Sequence, residues 1–258
     1  MTVRHGALSV TCLGYATARF ESASGTVVYV DPGRYGTLTG EWDRDVPHPR
    51  GRDYIERDAD LVLVTHNHHY DSDGIRRVAS DDATIVAYES INADEIRESG
   101  RDVDDLESLP YDVRRVAYGD EAIVEGVDLE VVSAFNHPDG SNVDANGEPI
   151  HPEGFGCGYR FVVDGTSVFW PGDSDVLDSH AELEASLFVP PIGKNFTMNR
   201  SEAAELAADI DPDLVLPIHY NTFPDLEADS RAFAADVAAS GVPVALDESE
   251  TAHFRSPQ

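Results

Sequence analysis

The stretch "LVLVTHNHHYDSDG", residues 61–74, constrains the chain more than any other. Leu61–Val64 form an unbroken apolar run, the pattern of a strand covered on both faces, and this predicts an α/β architecture with helices over a sheet. Directly after it come His66, His68, His69 and Asp71. In an extended segment residues i and i+2 share a side, so His66 and His68 can grip one ion through neutral ring nitrogens. The alternative for so polar a strand end is a solvated turn. Three other apolar runs decide between them. "VVSAFNHP" delivers His137, "SVFWPGDSD" delivers Asp173 and "LVLPIHYN" delivers His219, each just past a run of strand character. Sites gather at the carboxyl ends of strands in helix-flanked sheets. Imidazole and carboxylate together suit zinc, iron or manganese. Five other histidines, His5, His48, His151, His180 and His253, lack this placement and are read as surface or loop residues. His151 is the least settled of them, because its loop is expected to fold over the site.

The rest of the chain supports one domain over residues 1–258. "LSVTCLG", "TARFES" and "TVVYVDPG" read as short strands, and residues 32–57 as a long loop. "SDGIRRVAS" predicts a short helix and "ATIVAYE" a buried strand. "EAIVEGVDLEVVSAF" and "GYRFVVDGTSVFWPGD" predict further strands, the latter turning at Asp164-Gly165. Residues 136–156 are turn formers throughout, and a loop of that length is often functional. "NRSEAAELAADIDPD" predicts a helix with Asn199 as N-cap and Glu202 three residues on, "DLEADSRAFAADVAASG" another, and "VPVAL" a closing strand. Two groups of strands, each running on into alternating strands and helices, predict two sheets with helices on the outer faces.

Charge narrows the partners. There are 49 acidic residues against 18 Lys and Arg, a formal net charge of −31, and Lys194 is the only lysine. Self-repulsion at that charge penalises compactness in dilute salt. At molar salt the Debye length falls to about 3 Å, so a salt-rich, halophilic cytoplasm is the expected setting. The same charge argues against nucleic acid as a partner. No apolar stretch approaches the ~20 residues of a membrane span, and no signal peptide is visible at the N-terminus. Cys12 and Cys157 lack CxxC spacing and read as small core residues of a reducing compartment. The expected partner is a small-molecule substrate, and self-association stays open. Arg34, Arg50, Arg52 and Lys194 are candidates to hold an anionic substrate, against the commoner reading of solvated surface charge.

"THNHHYDSDG", "FNHP", "WPGDSD" and "PIHYNTF", in this order, resemble the metallo-β-lactamase superfamily. "LFVPPIGKNFTMNRSEAAELAADIDPDLVLPIHYNTFP" is similar to its branch of ascorbate-6-phosphate lactonase and related metal-dependent hydrolases. The resemblance implies an αββα sandwich of two mixed sheets with one or two divalent metals at one edge, zinc first, manganese or iron as alternatives. It implies His66, His68 and His137 on the first metal, Asp173 as bridging carboxylate, His219 on the second metal, and Asp31 orienting ligands from behind. The family's His-x-His-x-Asp-His is broken here. With or without a one-residue insertion, Asp71 is the best remaining second-metal ligand and proton acceptor, one histidine is missing, and His69 substitutes only if the turn is reshaped. Tyr15 is a further departure, where the lactonase-like branch often has histidine.

The implied chemistry is hydrolysis of a small ester, lactone or phosphodiester by water whose pKa the metal lowers towards ~7. Tyr220 and Asn221 would donate to the developing oxyanion, or simply pack. A nuclease of the same superfamily and a non-catalytic metal-binding module are the rival readings. The first lacks a basic exosite here, and metal analysis discriminates the second.

Overall fold

The computed structural model describes residues 2–40 and 54–248. Its first sheet holds seven strands in chain order: β1 (Thr2–His5), β2 (Leu8–Gly14), β3 (Thr17–Ser22), β4 (Val27–Val30), β5 (Ala59–Val64), β6 (Ala79–Tyr88) and β7 (Asp112–Val116). β1 to β4 form an antiparallel meander, and β4 to β7 are parallel. Parallel neighbours need crossovers, and short helices lie in two of the three: α1 (Ser72–Val78) between β5 and β6, and α2 (Ala93–Glu98) between β6 and β7. Ile75, Val78 and Ile96 on these helices belong to one buried cluster with β5 and β6. This is why Leu61–Val64 are all buried, as the unbroken apolar run predicts.

The second sheet has six strands: β8 (Glu121–Val124), β9 (Val127–Ala134), β10 (Gly156–Val163), β11 (Thr166–Trp170), β12 (Leu187–Phe188) and β13 (Leu214–Val215). It repeats the plan of the first, antiparallel from β8 to β11 and parallel beyond. The β10–β11 hairpin turns at Asp164 and Gly165, with φ of 49° and 74°. Positive φ at both central residues is what a type I′ turn demands, and Asp-Gly meets it. "VPVAL" forms no full strand; a single parallel bridge, Val215 to Val244, joins it to the sheet edge.

The inner faces of the sheets interlock through aromatic residues. Phe20 of the first sheet meets Phe161 edge-on at 5.2 Å and Trp170 at 6.3 Å. The outer face of the second sheet is covered by α3 (Arg200–Ile210) and α4 (Ser230–Ala239), whose Ala203, Leu206, Phe233 and Val237 pack on Phe169, Phe188 and Val215. α3 begins with the expected capping box. The Asn199 side chain accepts from the Ser201 and Glu202 amides, and Glu202 accepts from the Asn199 amide. The layers are thus helix, sheet, sheet, helix. Asp31, His66, Asn136, Asp173 and His219 all lie past the carboxyl ends of strands, so one lip of the sandwich collects them.

Candidate metal centre

Each site residue is fixed by its strand end. His66 follows β5 by two positions, and its carbonyl accepts from the amides of both His69 and Tyr70 at 3.1 Å. This curls residues 66–70 into a tight turn and swings His66, His68 and His69 to one side. An isolated bridge sets Gly156 against His66, where a Cβ on residue 156 would lie 2.7 Å from the His66 Cβ. Glycine is therefore the residue that lets β10 approach the turn. Asp173 comes off β11, and His219 lies beyond β13 with a positive φ of 56°. Tyr15 and Asp31, at φ of 51° and 48°, share that uncommon conformation. Strained backbone of this kind concentrates at functional sites.

Four imidazole nitrogens converge on one carboxylate oxygen. The Nε2 atoms of His219, His69, His66 and His151 lie 3.4, 3.5, 3.6 and 3.8 Å from Asp173 Oδ2. The fifth imidazole, His68, stands at the exposed rim with Nδ1 3.0 Å from His151 Nε2. The partners behind the rings fix the tautomers. Thr65 spends its hydroxyl proton on Asp31 Oδ2 at 2.7 Å and so accepts from His66 Nδ1 at 2.8 Å. His69 Nδ1 donates to Asp31 Oδ2 at 2.8 Å, and His151 Nδ1 to the Phe196 carbonyl at 3.0 Å. In its neutral form each of these rings therefore presents an unprotonated Nε2 inwards. Such lone pairs repel at these distances unless a proton or cation lies between them. His66 Nε2, which faces the cluster, is buried with no hydrogen-bond partner, as a ligand short of its cation would be. Two triads have ligand atoms within 4.8 Å of one another: His66, His68 and His151; and His66, His69 and Asp173. The set fits one or two divalent ions.

Electrostatics divide the cluster. Burial, then the neighbouring His69, pushes His66 well below its ordinary range. Partial burial, followed by His151 and His69, lowers His68 to about 3. Burial likewise lowers His151, against the pull of Asp173. These rings stay neutral, the form a metal requires. For His69 burial acts downwards, but the carboxylates of Asp173 and Asp31 outweigh it and the net direction is up. Asp173 shows the complement: burial acts upwards, and His219 and His69 overcome it to hold the carboxyl well below its usual range.

Two expected ligands are not brought to the cluster. The His137 amide donates to Asp175 Oδ2 at 2.8 Å while its ring turns outwards and meets the Val176 carbonyl at 2.9 Å. The chain then loops and returns. The Asn136 amide donates to the His151 carbonyl, and the His151 amide to Asn136 Oδ1, so His151 arrives where His137 was expected. Asp71 caps α1 by accepting from the Gly74 amide at 2.9 Å. The curled turn puts His69 beside His219 instead, 3.2 Å between their Nε2 atoms, as the reshaped-turn alternative requires. Tyr220 and Asn221 face away from the cluster. The Tyr220 hydroxyl reaches Glu248, and both amide atoms of the Asn221 side chain are spent on Ala228. Lys194 is exposed, and Arg50 and Arg52 lie outside the described residues. His151 had one signal in the sequence, a histidine near the far end of a long loop that opens with another. Spacing alone does not say which of the two faces inwards.

A family model described as "Beta-lactamase superfamily domain" matches residues 9–219, which include every member of the cluster. The chain belongs to the β-lactamase superfamily. Within it, this chain is 30% identical over 243 residues to a UPF0173 metal-dependent hydrolase of Methanopyrus kandleri, covering 92% of this chain and 94% of the relative. Among solved structures it resembles the metallo hydrolase Igni18 of Ignicoccus hospitalis, with a TM-score of 0.64, 21% identity and coverage of 93% and 95%. It also resembles CmlA, a diiron β-hydroxylase of Streptomyces venezuelae, with a TM-score of 0.59 and 15% identity over 94% of this chain and 53% of that one. At these identities the two structures speak for the fold. It is the metallo-β-lactamase sandwich.

Proposed function

We propose that this superfamily member is a metal-dependent hydrolase that cleaves a small ester, lactone or phosphodiester. The observation that carries this reading is the convergence of four Nε2 atoms on Asp173 Oδ2, at 3.4 to 3.8 Å, with three of their tautomers fixed from behind. His66, His68 and His151 would hold one ion and His69 and His219 a second, with Asp173 shared. Zinc suits this nitrogen-rich set best, with manganese and iron as alternatives. A cation held there supplies a positive charge that acidifies water towards ~7 and polarises a carbonyl or phosphoryl oxygen.

The chain's own groups do the positioning. Asp31 accepts from the Thr65 amide and hydroxyl and from His69 Nδ1, so one carboxylate aligns both the β5 end and the second-subsite ring. Tyr15 closes the other side, its ring 4.5 Å from that of His219 and edge-on to His69 at 5.1 Å, and keeps water off these two ligands. Phe155 packs against the rings of His68 at 5.0 Å and His151 at 5.5 Å. No described helix is long and apolar enough to cross a membrane, which accords with a small dissolved substrate.

The test is a panel of acyl esters, lactones and phosphodiesters in molar KCl with added Zn²⁺ or Mn²⁺. Turnover of at least one class, lost in His66→Ala, is the expected result. Silence across the panel with metal bound would overturn the reading. The net charge of −31 also supports a high-salt working medium, where repulsion is screened. The melting temperature should climb from dilute to molar KCl, and an unchanged melt contradicts that setting.

A further inference from the structure

The approach to this site carries two arginines, Arg34 and Arg101. Arg34 follows Gly33, whose φ is 105°. The Gly33 backbone lies so close to Gly74 on α1 that a Cβ on either residue would fall 2.5 to 2.6 Å from the other's Cα. That glycine-to-glycine contact pins the loop after β4 over the 66–70 turn. Arg34 Nε then donates to the His68 carbonyl at 3.1 Å, and its guanidinium lies 3.7 Å over the ring of Tyr35. Arg101 reaches the same turn from the segment after α2. It donates to the Asn67 carbonyl at 2.8 Å, to the His68 carbonyl at 3.3 Å, and also to that of Tyr70. Two guanidiniums thus share one carbonyl oxygen.

Among the described residues no carboxylate forms an ion pair with either, and Asp71 attracts Arg101 only from a distance. In a chain this acidic, nine arginines elsewhere each hold an Asp or Glu. Among the described residues neither Arg34 nor Arg101 has an ion-pair partner, and the terminal nitrogens of Arg34 meet no acceptor. Crowding two like charges is costly unless an anion joins them. The place matters too. The carbonyl they share belongs to His68, whose ring is in the first subsite. Tyr35 beneath Arg34 packs edge-on at 5.0 Å against Tyr15, the residue covering His219 in the second. Arg34 is partly exposed and stands at the rim between the two.

We propose that Arg34 and Arg101 form an oxyanion-binding subsite beside the metal centre, so that the substrate carries a carboxylate or phosphate remote from the bond that is cleaved. Arg101 is the fixed member, holding the turn through three carbonyls. Arg34 is the docking member, with its planar fork available for paired hydrogen bonds. This deepens the hydrolase reading and rests on it.

The test is calorimetric binding to the zinc-supplied full chain in molar KCl, with matched probes: monomethyl succinate against dimethyl succinate, and glycerol 3-phosphate against glycerol. At least one anion should bind about tenfold tighter than its neutral partner, the scale of a charge-assisted hydrogen bond discounted for salt. The larger ratio identifies carboxylate or phosphate. Arg34→Gln should erase the ratio and leave neutral binding unchanged. Arg34→Lys, which keeps charge but not the fork, should retain an intermediate ratio, and it decides the matter if Arg34→Gln fails to fold. Equal binding of anion and neutral probe, no measurable anion binding, or a ratio that survives in the Arg34 variants would overturn the proposal, since an anion held by zinc alone ignores Arg34. The two readings fail separately. A silent hydrolysis panel with the ratio intact removes the hydrolase and keeps the anion site. Turnover of neutral esters with no anion preference does the reverse.

Discussion

The two sides of Asp173 are built from the same kind of ring but backed in different ways. On one side His66, His68 and His151 are backed by a threonine hydroxyl, the open rim and a backbone carbonyl. All three are pushed towards neutrality. On the other, His69 has a carboxylate at each nitrogen, Asp31 behind and Asp173 in front, and is pulled the opposite way. The same side contains Tyr15, Asp31 and His219, with positive φ at each. The first subsite is therefore made by a loop that must return to place, the second by buried charge and strained backbone. The lesson is that a nitrogen ligand can be prepared either by keeping its proton off or by giving its far proton a carboxylate.

Substitutions on the two sides should differ in the size of their effects. The largest belongs to the loop. His151→Ala should remove the first-subsite ion, weakening its binding by at least about 10²-fold, beyond what outer partners supply. His137→Ala should leave metal content unchanged. Metal analysis of the two variants side by side checks this, and the opposite ranking would return the ligand role to His137. Next comes the backing carboxylate. Asp31→Asn should weaken the second ion by roughly 10–100-fold and the first by less, because Asp31 touches His69 directly and reaches His66 only through the Thr65 hydroxyl. A stepwise Zn²⁺ titration reads the two affinities, and equal losses at both would show that the subsites are not separately prepared.

The smallest effect uses a histidine buried for structure alone. His180 Nε2 donates to the Ser133 carbonyl at 2.8 Å, and its Nδ1 accepts from the Leu177 amide at 3.3 Å. A second proton would meet a donor, and burial lowers this ring from 6.5 to about 4. The unfolded chain therefore binds the proton first. Stability is complete above the unfolded value, is lost as pH falls from about 6.5 towards 4, and changes no further below that. Between about pH 7.5 and 5.5 the loss should be about 1 kcal/mol. His180→Gln should flatten that part of the acid limb in denaturant melts, and an identical slope would mean the ring is not held neutral.

Much of the sandwich was legible because its elements are local. The apolar run at 61–64, the Asp164-Gly165 turn and the Asn199 cap each decide their own geometry within a few residues. The strand-end rule likewise pointed to the lip where His66, His68, Asp173 and His219 lie. His151 was not legible, because its direction depends on hydrogen bonds to Asn136, fifteen residues away, closed only once the loop has folded. His69 depended on two amides converging on the His66 carbonyl, a turn that no single residue type announces. Asp71 misled for the converse reason. An aspartate three residues before a glycine amide is as good a helix cap as it is a ligand, and here it is the cap.

The most direct measurement is a crystal structure of the zinc-loaded chain with anomalous scattering at the zinc edge. The account predicts two peaks flanking Asp173, one touching His66, His68 and His151, the other His69 and His219. A peak coordinated by His137 or Asp71, or no peak at Asp173 after loading, would contradict it.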